Sequence, residues 1–312
     1  MAHTQCPIVM RILAAGIQVA NRAGSIIRDV MSKGELGIVE KSKNDLQTEA
    51  DRSSQQCIIA SLTKQFPNIK IIGEEGQSDL CNIPSEWLVM EQDAEFLKNS
   101  CPNKYLTLTE EQFDSVVVWV DPLDGTTEYT QGFLEHVTVL IGISVNEEAV
   151  GGIIHQPYYK NGEDIGRTIW GLKGLGVGGF QPIDIRNDGQ FVVTTTRSHF
   201  NESVKNAVDA LKPTEILRVG GAGYKVLQLL EGKAHAYIFA SPGCKKWDTC
   251  APEAILEAHG GVLTDVMGNH YSYGEKAIHL NKLGVIATAK TVDHQNVINL
   301  IPANLKEAMT GK

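Results

Sequence analysis

Two aspartates stand three residues apart in Asp121-Pro122-Leu123-Asp124-Gly125-Thr126, directly after the apolar run Val116–Val120. Such a run reads as a strand buried on both faces. Both carboxylates are therefore expected at a strand's carboxyl end, where ligand sites of α/β proteins form. Pro122 fixes the backbone, and Gly125 permits a sharp turn. Thr126 then opens a short helix over Thr127–Gly132, and an exposed helix N-terminus bearing a hydroxyl suits a phosphate. A solvated turn capped by Thr126 would use the same residues. The run alone does not separate the two readings.

Four further acids bear on that choice. Glu74-Glu75 ends a predicted short strand, Ile69–Gly73. Asp51 lies in the first turn of a predicted helix over Gln47–Phe66, three residues after Thr48, where a capping-box partner is its ordinary job. Asp248 precedes Ala251-Pro252, where a helix N-cap would be ordinary. Each acid has a structural explanation by itself. Their joint occurrence at strand ends and helix starts points to one shared site.

The elements that must position these acids alternate. A long amphipathic helix runs over Ile8–Met31 and is stopped by Gly34 and Gly37. Residues Gly76–Ser115 are acidic, carry Pro84 and Pro102, and read as a surface excursion or lid. Thr138–Val145 and Val150–His155 pair through Asn146-Glu147-Glu148, and Thr168–Trp170 with Val177–Phe180 forms a glycine-rich pair. The second half predicts strands at Phe191–Thr196, Ile216–Val219, Ala236–Ala240 and Gly284–Ala289. Helices are predicted over Glu202–Leu211, Tyr224–Glu231 and Pro252–His259. This is an α/β (α+β layered) pattern with helices stacked against two sheets. A division near residue 190 is expected, into a sub-domain of residues 1–190 carrying most of the acids and one of residues 191–312.

The chain has 312 residues, a net charge of −9 and a pI near 5.5. That acidity argues against nucleic acid as a partner, which needs a basic stripe. A polyanionic substrate would instead require local field reversal, most simply by divalent metal. The six cysteines form no C-x-x-C pair and no zinc-spaced cluster with histidine, so reduced thiols in the cytoplasm are expected. No apolar run reaches transmembrane length, and no membrane partner is expected. Ile8–Met31 is interrupted by Arg11, Gln18, Asn21, Arg22, Arg28 and Asp29 and reads as neither span nor signal peptide.

Two strand-to-helix turns could meet phosphate or ribose oxygens through backbone N–H groups: Thr194-Thr195-Thr196-Arg197-Ser198-His199 and Gly220-Gly221-Ala222-Gly223-Tyr224-Lys225. Plain helix caps and a tight glycine turn would explain them equally. Lys225, Lys245 and Lys246 could offset the acidity locally. Gly174–Gly179 satisfies G-x-G-x-x-G, but Phe180-Gln181-Pro182 follows instead of a helix, so it is discounted. The scattered histidines, His136 and His270 among them, receive no role.

In this order, Glu74-Glu75, the D-P-L-D-G-T run and Trp247-Asp248 resemble the lithium-sensitive, magnesium-dependent phosphatase superfamily that includes inositol monophosphatase and fructose-1,6-bisphosphatase. Val118–Thr126 and the stretch Gly243-Cys244-Lys245-Lys246-Trp247-Asp248-Thr249-Cys250-Ala251-Pro252-Glu253 are closest to its bisphosphate nucleotidase branch. The resemblance covers Ile8 to Ala289 and is weakest across Gly76–Ser115. It implies an αβαβα sandwich of the inositol monophosphatase type. It also implies metal ligands at Glu74, Asp121, Asp124 and Asp248 with the Leu123 carbonyl, and water activation by Asp51 and Thr126. Substrate contacts are implied at Thr126, Thr196, His199, Gly221 and Lys225.

The implied cofactor is Mg²⁺, two or three ions per site, with inhibition by Li⁺. An all-oxygen donor set agrees, favouring Mg²⁺ over zinc or copper. Paired ions about 4 Å apart would clamp both oxygens of an in-line displacement. The implied substrate is 3′-phosphoadenosine 5′-phosphate (PAP), with its sulfated form PAPS. Asp121 and Asp124 stand three apart, unlike the D-x-D pair of aspartyl-phosphate enzymes, so no phosphoenzyme is expected. One departure is Thr127, followed by Glu128, where the resemblance leads one to expect a lysine directly after the D-G-T run. Alternatives are an inositol polyphosphate 1-phosphatase acting on inositol bisphosphates, and a non-catalytic metal or nucleotide sensor.

Overall fold

The computed structural model describes residues 6–42, 45–99, 110–185 and 189–311. Helix α1 (Ile8–Lys33) matches the predicted amphipathic helix and ends at Gly34, in the left-handed region at φ 76°. Strands β1 (Val39–Ser42) and β2 (Asp45–Gln47) form a small hairpin, too exposed and polar to announce itself by apolar alternation. Helix α2 (Glu49–Gln65) follows, and β3 (Lys70–Gly73) delivers Glu74.

The excursion after Glu74 is anchored over its described part, which distinguishes it from a loose lid. Val89, Phe96 and Leu97 are buried in the core. The Phe96 ring meets Trp170 edge-on at 4.8 Å, and the Asp93 amide donates to the Ala14 carbonyl. Its apolar residues are too sparse for a periodicity to show, yet enough to tie it down. Cys101 and Pro102 lie outside the described residues.

Next come β4 (Val116–Asp124), α3 (Thr126–Gln131), β5 (Thr138–Val145), β6 (Glu148–Asn161), β7 (Asp164–Leu172) and β8 (Gly176–Gly178). With β3 they make a six-stranded sheet in the order β3-β4-β5-β6-β7-β8, antiparallel except for β3 beside β4. The β5–β6 turn puts Asn146 and Glu147 at φ 50° and 68°, the twist that tight hairpins favour. Gly174–Gly179 lies at the β7–β8 edge, without a following helix.

The second half contains β9 (Val192–Thr196), α4 (Glu202–Ala210), β10 (Glu215–Val219), α5 (Ala222–Leu230), β11 (Ala236–Phe239) and α6 (Lys246–His259). It finishes with β12 (Val262–Thr264), β13 (Val285–Thr288), α7 (His294–Leu300) and α8 (Ala303–Thr310). The five strands are ordered β10-β9-β11-β13-β12, so the chain changes sheet between Gly178 and Val192. Helices α1 and α2 cover one sheet, α5 and α6 lie between the two, and α4 and α7 pack on β11 and β13. The result is the αβαβα layering. Strand β12 and helices α7 and α8 escaped the sequence reading. Helix α6 starts six residues earlier than predicted, because Pro252 sits inside it instead of at its start.

What brings α6 so close to the first sheet is a row of glycines. Gly142, Gly152 and Gly171 are register partners across β5, β6 and β7. A Cβ on Gly142 would lie 2.7 Å from Ala251 N, and one on Gly171 would lie 2.7 Å from Ile255 Cα. A Cβ on Gly152 would collide with the Ala251 carbonyl oxygen. The helix backbone therefore rests directly on sheet backbone, where no side chain can intervene.

Gly152→Ala is accordingly expected to cost about 1–3 kcal/mol, the usual penalty for overpacking a rigid contact. Gly151→Ala, whose Cβ would meet nothing nearer than 3.5 Å, should change stability far less. Urea unfolding of both variants checks this, and equal midpoints would contradict the backbone-on-backbone contact.

Candidate active site

In a regular strand Asp121 and Asp124 would point to opposite faces, since side chains alternate with a period of two. Strand β4 continues through both residues, so they form its carboxyl end, four residues further along than the apolar run itself. The pairing with β5 shifts between Asp121, opposite Leu140, and Asp124, opposite Thr138. Three steps on β4 thus face two on β5, a bulge at Pro122-Leu123 that re-aims one side chain. Pro122 has no N–H to lose there. Both carboxylates consequently meet, together with Asp248, with oxygens within 4.8 Å of one another.

Each acid is held by an amide. The Leu123 amide donates to Asp121 Oδ1 at 3.1 Å. Asp124 caps α5, accepting from the Ala222 and Gly223 amides at 2.7 and 2.8 Å, and takes the Thr138 hydroxyl at 2.6 Å. Asp248 is the third residue of α6, and the Lys245 amide donates to its Oδ2 at 2.5 Å. Glu74 follows β3, donates its amide to Val120 O at 3.0 Å, and is in hydrogen-bond contact with Asp121.

Burial and mutual repulsion resist the charge these groups carry. Burial first, then Asp248, pushes Glu74 up to about 8 and Asp124 up to about 6. Asp121 is driven well above the carboxylate range by burial and then by Glu74, Asp124 and Asp248. Burial also raises Asp248. This concentration of hard, buried oxygen donors fits a small divalent cation such as Mg²⁺. The Leu123 carbonyl lies beside it, accepting from Thr126 Oγ1 at 3.1 Å.

Asp51 does two jobs at once. Its Oδ2 accepts from the Thr48 amide at 2.7 Å and the Thr48 hydroxyl at 2.5 Å, the capping box the sequence suggested. Its Oδ1 accepts from Thr126 Oγ1 at 3.0 Å, across 75 residues of chain. Burial pushes Asp51 up to about 6, which puts a proton acceptor near neutral pH. Gly125 precedes the short helix α3 at φ 92°, placing Thr126 at its first position.

Glu74, Asp124, Thr126 and Asp248 line a cavity of about 460 Å³, together with Thr196, His199, Gly221, Lys225 and Lys245, while Asp51 and Asp121 stand behind them. Lys225 Nζ donates to the Gly221 carbonyl at 2.9 Å. Gly221 is obligatory by proximity, since a Cβ would come within 2.6 Å of the His136 carbonyl. The Ala222 and Gly223 amides, offered by the sequence as contacts for phosphate or ribose, are instead taken by Asp124. Burial, then Lys225, lowers the pKa of His199. Of the three lysines expected to offset the acidity, Lys246 lies elsewhere, on the far side of the α6 start.

Two participants were missed. Lys41, on the β1–β2 hairpin, pairs with Glu74 at 3.2 Å and Glu75 at 2.9 Å. Burial opposes its charge, but Glu74 and Glu75 more than offset that and hold its ammonium above the usual range. A lone lysine in a polar turn carries no signal in sequence. Glu128 is buried in the cavity wall 3.4 Å from Arg197. Its one mention in the sequence reading was as the residue after Thr127, where the resemblance leads one to expect a lysine.

Residues 9–304 match the inositol monophosphatase family model. The chain belongs to that family. Within it, the chain is 49% identical to human 3′(2′),5′-bisphosphate nucleotidase 1, over 97% of each chain. It is 41% identical to the Dictyostelium discoideum protein of the same name, over 94% of this chain and 96% of that one. The fold matches the extragenic suppressor protein suhB of Bartonella henselae with a TM-score of 0.65 at 17% identity, covering 95% of this chain and 98% of that one. In this chain α6 is shared by both sheets. No helix among the described residues is long and apolar enough to cross a membrane.

Replacing Asp121 by a neutral amide should relieve the metal-free fold, which must otherwise either bury a repelled charge there or take up a proton to avoid it. In EDTA, Asp121→Asn is expected to melt above wild type, by about 2–4 °C for each kcal/mol relieved. Wild type should gain more from added Mg²⁺ than the variant does. Calorimetry with and without Mg²⁺ measures both, and a variant that melts lower in EDTA would refute the repulsion.

Proposed function

We propose that the protein is a Mg²⁺-dependent bisphosphate nucleotidase that hydrolyses the 3′-phosphate of PAP to give AMP and phosphate, and converts PAPS by the same route. The observation that carries this is the convergence of Asp121, Asp124 and Asp248 within 4.8 Å beside the Asp51–Thr126 pair. The identity of 49% to a relative named bisphosphate nucleotidase supports the choice of substrate. Glu74, Asp121, Asp124, Asp248 and the Leu123 carbonyl would hold two or three Mg²⁺ ions. Bound there, Mg²⁺ supplies Lewis acidity and charge neutralisation for an in-line displacement at phosphorus.

The chain's own groups handle the proton. Thr126 donates to Asp51, so a water donating to the Thr126 hydroxyl can pass its proton on to the Asp51 carboxylate. The oxygen left behind forms the new bond to phosphorus as the bond to the ribose 3′-oxygen breaks. That leaving oxygen then takes a proton from solvent. No residue is phosphorylated. Lys225 and Lys245 face the anionic substrate, and Thr196, His199 and Gly221 line the space for its nucleoside. In this reading residues 1–190 supply most metal ligands, and residues 191–312 add the nucleotide contacts and Asp248. Five described cysteines are free, which suits a cytoplasmic enzyme.

Phosphate release from PAP, PAPS and inositol 1,4-bisphosphate tests the proposal. PAP should be hydrolysed best, only with Mg²⁺ present, and Li⁺ should inhibit. Asp121→Asn should lower kcat/KM by about a thousandfold or more, because several kcal/mol of charge stabilisation is lost. Near-normal turnover of that variant, or a preference for the inositol substrate, would overturn it.

A further inference from the structure

The first turn of α6 has two sides. Lys245 and Asp248 face the cavity described above, whereas Lys246 lines a separate one of about 500 Å³. Lys246 is only 8% exposed. Its ammonium sits 4.4 Å from the centre of the Tyr271 ring and 5.6 Å from that of Tyr273. Among the described residues no carboxylate forms an ion pair with it. Cation–π contact offsets part of the cost of burying a charge, but it supplies no anion.

The two nearest acids are engaged elsewhere. Asp265, on the cavity wall, accepts from the Met267 and Asn269 amides at 2.8 and 2.9 Å. Glu253 takes His270 Nδ1 at 3.1 Å and the Tyr273 hydroxyl at 2.5 Å. The ammonium is therefore buried, short of an anion, and set in the wall of an open cavity. The rest of that wall is largely apolar. Tyr271, Leu283 and Met309 line it, with Lys282 beside them, and Ile278 and Leu280 on the same wall are 69% and 37% exposed, together making an apolar patch.

We infer that this cavity is a second ligand site, which takes an apolar molecule ending in a single carboxylate. The carboxylate would pair with Lys246, and the apolar body would cover Leu283, Met309 and the exposed Ile278 and Leu280. A polyphosphate does not suit it, since Asp265 stands in the wall with Lys246 and Lys282 and most of the remaining surface is apolar. The volume is that of a small-molecule pocket.

The site also backs onto the catalytic turn. Asn281, in its wall, donates to the Lys245 carbonyl at 3.0 Å and to Thr249 Oγ1 at 3.1 Å. The Lys246 amide donates to the His279 carbonyl at 2.9 Å. An occupant leaning on residues 278–283 thus leans on the segment strapped to the start of α6.

Octanoate is the probe. Titrated into the full chain with Mg²⁺ present, it should shift the Met309 methyl resonance saturably in ¹³C-methionine spectra and register in calorimetry. Lys246→Met should weaken octanoate about tenfold or more, the loss of one charge-assisted contact. Neutral octanamide should bind wild type and this variant alike. Met309→Glu, which places an acid at the wall without touching Lys246, should abolish octanoate binding while leaving the melting temperature near wild type. An unmoved Met309 methyl, or equal octanoate affinity in wild type and either variant, would overturn the assignment.

Discussion

Three carboxylates, Asp121, Asp124 and Asp248, lie within reach of one another and repel, and the architecture is organised around holding them and the neighbouring Asp51 in place. Asp51, Asp121, Asp124 and Asp248 each accept a backbone amide, from Thr48, Leu123, Ala222 with Gly223, and Lys245. Amides belong to helix starts and a strand bulge, so they hold the anions without a mobile counter-ion. A lysine in the same role would neutralise the charge that attracts a cation. Lys41 sits on the exposed hairpin and pairs with Glu74 and Glu75 from the rim.

That arrangement requires elements from opposite ends of the chain to meet at close range. Asp121 and Asp124 come from the first sheet, whereas Asp248 comes from the helix packed against both sheets. The glycine row on β5, β6 and β7 makes the meeting possible by removing a layer of side chains between α6 and the sheet. Pro252 acts within the same helix. It lacks the N–H that the Asp248 carbonyl would otherwise accept, which frees that carbonyl from the helix ladder. Rigid backbone contact then transmits the sheet's position to Asp248.

The charge problem posed by a chain of net −9 meeting a polyanion is handled locally. Acids gather in the cavity, where a cation reverses their sign, and Lys225 and Lys245 stand near enough to favour the charge on Asp248. Lys246, one residue further along, belongs to different surroundings, because successive positions at a helix start point in different directions. Adjacent lysines in sequence are thus separated by the helix that carries them.

Sequence by itself determined the element types, most strand and helix positions, and the identity of the acids. Apolar runs such as Val116–Val120, the periodicity of α1 and the spacing of Thr48 with Asp51 are local signals, and local physics decides them. Polar or short pieces gave no such signal, which is why β1, β2, β12, α7 and α8 went unread. Tertiary structure alone decided which groups share a space. The bulge that turns Asp121 and Asp124 to one side depends on pairing with β5. The capture of Asp124 by the α5 amides joins residues about a hundred positions apart. The placing of Lys246 away from the site follows from how α6 sits on its glycines. Long-range proximity is set by packing, and packing leaves no trace in the spacing of neighbours along a chain.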